Sequence, residues 1–186
     1  MKLGFAVLRV IVGGLFMGHG LQKLIGAFGG HGLEGTAKGF ESLGLRPGTA
    51  NAVVAGAAET GGGALLAAGA ATPLGATVLT ATMATAIRTV HAPNGPWSSN
   101  GGYEYNLVLM AIVFALTDAG PGHWSVDAAL GRPRWKAGWA LAQLGAGLAG
   151  SAAAIAFGKR QAPAEQPAEA PAAPADAPAE QSAAAA

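Results

Sequence analysis

The sequence predicts an all-α membrane protein: a four-helix transmembrane bundle with an added fifth, C-terminal transmembrane helix and a short interfacial helix in the first loop. Three observations predict it. Of the 186 residues, 51% are apolar and only 11% are charged, whereas a soluble domain carries roughly 25% charge. Apolar runs of span length recur along the chain, separated by Gly- and Pro-rich breaks. The few charges within those runs ride on faces of small residues, as intramembrane charges that face a bundle interior do.

The first run, from Leu3, reads LGFAVLRVIVGGLFMGHGLQKLIG. At 1.5 Å per residue it crosses ~30 Å of hydrocarbon. Arg9 interrupts its core and no Ala-x-Ala site follows, so it is expected to stay as a helix rather than leave as a signal peptide. Residues 26–49 form the longest connection. Within it Leu33, Ala37, Phe40 and Gly44 fall at helical spacing, with Glu34, Lys38 and Glu41 off that stripe, which predicts the interfacial helix. The second span runs from Ala50 to Thr72. Pro73 opens the third, where its missing N–H is tolerated in the first turn.

The third span, Pro73 to Val90, is rich in Ala and Thr, which lets helix backbones approach closely in lipid. HAPNGPWSSNGG breaks it, and a fourth span, Tyr103 to Ala119, stops at Gly120-Pro121-Gly122. The chain thus divides into a four-helix membrane domain (1–122), a polar loop (123–136) with Arg132, Arg134 and Lys136, a fifth helix (137–158) and an Ala/Pro/Glu tail (159–186). The fifth helix is Ala- and Gly-heavy, so lying on the membrane surface is its alternative. The tail cannot form a core and is expected to be disordered. Lys and Arg are nearly balanced between the two sides; the basic 132–136 loop sharing a side with Lys2 favours a cytoplasmic N-terminus.

Composition also excludes. With no cysteine, disulfides, thiol catalysis and thiolate metal or iron–sulfur sites are ruled out. Net charge is +1 without a basic cluster, so nucleic acid is not an expected partner. GGHG and ETGGG lack the GK[ST] ending and a preceding strand, and read as turns and tight helix packing rather than phosphate loops.

The intramembrane charges supply the candidate site. At 100° per residue, Arg9, Gly13, Phe16, Gly20 and Lys23 fall within about 40° of one line, with His19 roughly 80° away. Glu59 shares a face with Gly63, Leu66 and Ala70; Arg88 with Thr77, Ala81 and Ala84; Glu104 with Ala111, Ala115 and Asp118. Alternating span directions bring His19, Lys23, Arg88, His91 and Glu104 to one membrane side, beside the first loop. Glu59 then lies nearer the middle, and Arg9 deeper toward the opposite side. This describes a polar funnel leading to a central carboxylate. Arg9, His19, Lys23, Glu59, Arg88, His91 and Glu104 are therefore the ligand-binding or proton-relay candidates, with no catalytic residue assigned. The plainer alternative makes Arg9–Glu59 and Arg88–Glu104 ion pairs that hold the helices in register. His19, His91 and Glu104 have donor types that suit a metal, but no HxxE or HExxH spacing supports one, and no metal is expected. His31 and His123 sit in Gly-rich loops and read as solvated.

RVIVGGLFMGHGLQK, FGGHGLEGTAKGFESLG, AETGGGALLAAG, HAPNG and GGYEYNLVL, in this order over residues 4–122, resemble the DoxX family of small integral membrane proteins. The resemblance implies a four-helix bundle in the cytoplasmic membrane and carries over Arg9, His19, Gly20, Lys23, Glu59 and Glu104 as characteristic positions. It also implies a link to quinone-coupled oxidation of sulfur compounds or to membrane assemblies that handle oxidative stress. The expected function is a quinone-interacting subunit of a membrane oxidoreductase assembly, at most a redox subunit dependent on a partner. Quinone is then the candidate cofactor; the lipid bilayer, a redox partner subunit and a second copy of the chain are the candidate partners. A non-enzymatic scaffold or assembly factor is the alternative, and a small proton-coupled carrier the third, disfavoured by the lack of an inverted repeat.

Overall fold

The structure, a computed structural model, describes residues 3–132 and 137–161. All regular structure among the described residues is helical: α1 (Leu3–Ile25), α2 (Gly32–Ser42), α3 (Gly48–Ala68), α4 (Thr72–Ala86), α5 (Glu104–Ala119), α6 (Val126–Ala129) and α7 (Ala137–Arg160). A π turn, Ile87–His91, continues α4 to the mouth of the bundle. The predicted interfacial helix is α2, with Ala37 of its apolar stripe buried. The Ala/Pro/Glu tail beyond Gln161, and Arg134 and Lys136 of the polar loop, lie outside the described residues.

Local chemistry explains the ends. Gly69 closes α3 in the left-handed conformation (φ 62°), and the next amide, Ala70 N–H, bonds back to the Leu65 carbonyl at 2.9 Å. A residue with a side chain would be strained there. Pro73 sits in the first turn of α4 as predicted. Ser125 caps α6, its hydroxyl oxygen accepting the Ala128 N–H at 3.1 Å.

The five long helices alternate in direction along the chain, so α1, α4 and α7 run one way and α3 and α5 the other. α1 and α3 cross most closely. A Cβ on Gly13 would fall 2.5 Å from the Gly63 carbonyl oxygen, and one on Gly20 2.5 Å from the Gly56 carbonyl oxygen. Only bare backbone fits at these crossings, which in lipid is how helix packing gains its dispersion contacts. Val12, Phe16, Leu66, Leu79, Val113 and Leu116 fill the core between α1, α3, α4 and α5. The fifth long helix packs along α4, where Gly147 meets Thr80. Thr80 Oγ1 donates to Gln143 Oε1, and Thr85 Oγ1 lies the same 3.0 Å from Ser151 Oγ, whose hydroxyl is the donor because the Thr85 hydrogen goes to the Ala81 carbonyl.

The outside is apolar. Val10, Ile11, Leu15, Leu107, Val108 and Leu141 are all more than half exposed, a band that water would penalise and lipid would not. Trp97 and Trp124 project from loops at opposite ends of the bundle, the levels at which tryptophan settles in a bilayer. α1 and α7 are each long and apolar enough to cross a membrane.

Candidate functional site

The site is built on the α1–α3 crossing. One turn beyond Gly20, Lys23 faces α3, and its chain leans back toward the start of α1, as Cα–Cβ bonds in a helix do. That lean carries the ammonium into the bundle rather than out to the interface. Lys23 Nζ donates to Glu59 Oε2 at 2.6 Å, and lies 3.4 Å from the His19 carbonyl oxygen. Glu59 is 5% exposed, while the Lys23 side chain keeps 29% of its surface open. The pair is sealed on the α3 side and open on the other.

What it opens onto is a half-open cavity of about 1160 Å³ lined by residues of α1, α2, α3, α4, α5 and α7. The wall is mainly apolar, with Phe16, Phe40, Val78 and Leu109 among its members. Buried Asn106 adds an amide, which donates to Met83 Sδ at 3.4 Å. Thr82, Thr85 and Thr89 also face the cavity, but their hydroxyls donate to the Leu79, Ala81 and Thr85 carbonyls within α4. At the mouth are His19, His31, His91 and Ser98. His19 Nδ1 pairs with Gln22 Oε1 at 3.0 Å, and His91 Nδ1 with the Gly101 carbonyl oxygen at 2.7 Å. The π turn places His91 there, a use of extra-wide helix turns that recurs at functional sites. An apolar hollow with few convergent polar groups is the usual form of a small-molecule site.

The structure brings together four of the seven candidates: His19, Lys23, Glu59 and His91. The other three take different places, and both alternative ion pairs are corrected. Glu59 pairs with Lys23, not Arg9. Arg9 also leans toward the start of α1 and so away from Glu59. It is 3% exposed and donates to the carbonyl oxygens of Ala67 at 3.2 Å, Pro121 and Trp124. Arg88 projects outward from the π turn, exposed, and makes no pair with Glu104. Glu104 Oε1 instead accepts from the Ser98 N–H at 2.7 Å and from the Ser98 hydroxyl, fastening the loop between α4 and α5. His31, read as solvated, is exposed but borders the cavity mouth.

Sequence reasoning missed the polar group at the far end. Asp127 is fully buried, and its Oδ1 accepts from Arg132 Nη1 at 3.0 Å. Its backbone N–H bonds the Gly69 carbonyl at 3.1 Å. The Ser125-Val126-Asp127-Ala128 stretch, a serine cap before a short turn, was the available signal. The neutral buried groups Asn106, Gln143 and Ser151 were also missed, because charge alone guided the search.

An all-helical bundle with apolar outer faces and ionised groups held inside defines a membrane helical-bundle protein. The sequence model of the DoxX family matches residues 4–92. A curated protein of Bacillus subtilis (strain 168) named "Putative oxidoreductase CatD" is 37% identical over 116 residues, which is 62% of this chain and 80% of that protein. The chain belongs to the DoxX family. No solved structure matches it significantly.

Proposed function

We propose that the protein is a multi-pass protein of the cell membrane that binds a quinone in the Lys23–Glu59 cavity, as a subunit of a redox assembly. The observation that carries this reading is a buried lysine–carboxylate pair set in the wall of a large apolar cavity. The donor set fits a quinone: the ammonium offers hydrogen bonds to a ring carbonyl, and the apolar wall takes the ring. The oxidoreductase name of the Bacillus relative points the same way.

A bound quinone supplies the acceptor for two electrons and two protons, the electrons coming from a partner subunit or reductant outside this chain. Lys23 would orient the ring, its ammonium donating to a ring oxygen. Glu59 would hold the ammonium in place beside it, and His19 and His91 stand at the mouth between this pair and water. Arg88 and Glu104 have no part in this arrangement.

The test is quinone analysis of lipid extracts from protein purified in mild detergent, followed by equilibrium binding. The wild type should retain quinone, and the Lys23→Met/Glu59→Leu double variant should fold without it. Protein free of quinone, with no binding on addition, would contradict the reading.

One observation favours the scaffold alternative. Gly14 and Gly18, a GxxxG pair, lie on α1 with open space where each Cβ would be. Such a pair is a contact surface for another helix, in a partner subunit or a second copy of this chain. Gly14→Leu with Gly18→Leu should then reduce the particle size in detergent. An unchanged size removes this support.

A further inference from the structure

The cavity has a second neighbour besides the aqueous mouth. A hollow of about 300 Å³ lies between the first half of α3 and the last half of α7, lined by Ala50, Asn51, Val54, Ala153, Ala154 and Phe157. Asn51, Val54 and Ala154 also line the Lys23–Glu59 cavity. The two spaces therefore adjoin along these side chains. Val54 is 65% exposed, so nothing in the bundle covers it, and alanines on the α7 side leave the slot unfilled.

The rest of α7 is pinned. Threonine hydroxyls of α4 hold Gln143 and Ser151. At its end, the Arg46 N–H bonds the Gly158 carbonyl at 3.1 Å, and a Cβ on Gly158 would fall 2.9 Å from Leu45 Cδ2. The slot is therefore closed toward the aqueous end and opens sideways. Val54 is six residues into α3 and Ala154 six residues from the end of α7, so both lie about 9 Å inside the helix ends. In a bilayer whose hydrocarbon thickness matches the helix lengths, that depth falls within hydrocarbon. The mouth, with His31, His91 and Ser98, is polar, and the slot is apolar.

We propose that the α3–α7 slot is a lateral portal that takes the apolar chain of a membrane amphiphile, whose polar head occupies the Lys23–Glu59 cavity. The head group's being a quinone rests on the function proposed above; the passage of a hydrocarbon chain does not. Headgroup chemistry then has its own access to water through the mouth, while the substrate enters and leaves without crossing it. Val54 sets the bore of the portal.

The experiment uses the full chain in bilayers. Because the sequence has no cysteine, Ala58→Cys, on the cavity wall, accepts a single bimane. Phosphatidylcholine with brominated chains should quench this bimane strongly compared with the unbrominated lipid. Adding Val54→Phe should remove the quenching, whereas Leu148→Phe, on the outer face of α7, should leave it. No quenching, or quenching that survives Val54→Phe, overturns the portal. A second arm compares decylubiquinone with the tailless 2,3-dimethoxy-5-methylbenzoquinone. Val54→Phe should weaken the decyl compound about tenfold more than the tailless one, through overfilling of the slot. Equal weakening of both overturns the portal. Bromolipid quenching with neither quinone bound to the Val54 protein upholds the portal and rejects quinone as its substrate.

Discussion

Arg9 and Lys23 lie 14 residues apart on one face of α1, and the two ends of the bundle use them in opposite ways. Each of the three Arg9 guanidinium nitrogens donates to a backbone carbonyl, from the α3 end or the loop after α5, with buried Asp127 nearby. Its planar donors reach several carbonyls at once, which a lysine does not do. That end is a clamp. Lys23 has one carboxylate partner and an open flank facing the cavity. A partly open ion pair can exchange its partner for a ligand; an enclosed cation held by three carbonyls cannot. The enclosed charge and the open charge therefore differ in what surrounds them, not in helix face.

The largest expected effect is at the clamp. Arg9→Met strands three carbonyl oxygens and removes a positive charge near Asp127, so unfolding in detergent should show a loss of about 3–5 kcal/mol. A loss below about 1 kcal/mol would break the contrast. At the open end, Glu59→Gln should cost less, about 2 kcal/mol, because the stranded Lys23 can turn to the wet mouth. Lys23→Met combined with Glu59→Leu should recover most of that stability, since no charge then stays unpaired. Failure to recover would make the pair a structural element like Arg9.

Much of this was legible. Of the α1 stripe predicted from angles, Arg9, Gly13, Phe16 and Gly20 are buried and Lys23 is partly open, and Ala37 turns inward on the predicted interfacial helix. The partner of each charge was not legible from angle and depth. Those quantities place a Cα, but a long side chain ends several ångströms toward its helix N-terminus. Applying that lean would have sent Lys23 to Glu59 and Arg9 away from it. The carbonyls that receive Arg9 come from Pro121 and Trp124 in a loop, and no side-chain pattern announces a backbone acceptor. The cavity itself, bounded by six helices, is a tertiary property.

Smaller effects sharpen the comparison at the surface. Arg88→Gln removes an exposed charge that neither clamps nor faces the cavity, so stability should change by less than about 0.5 kcal/mol, with quinone binding intact. A loss of binding would return Arg88 to the site. Smallest of all is the exposed Glu34–Lys38 pair on α2, at 2.8 Å. The hydrogen bond from Lys38, with its charge, holds the Glu34 carboxyl below the usual carboxylate range. Its slight support of α2 is therefore present at neutral pH and lost as pH falls through that lowered value. Hydrogen exchange of α2 amides at pH 7 should be nearly the same in Glu34→Gln, and a large acceleration would show that α2 depends on this pair.

The most direct test of the central claim, that the open Lys23–Glu59 end carries the chemistry, is decylubiquinone binding to the Lys23→Met/Glu59→Leu variant in bilayers, read with its unfolding midpoint. The account predicts a near-wild-type midpoint and at least about a tenfold loss of affinity, the scale of one lost charge-assisted hydrogen bond. Wild-type affinity in a folded double variant would contradict it.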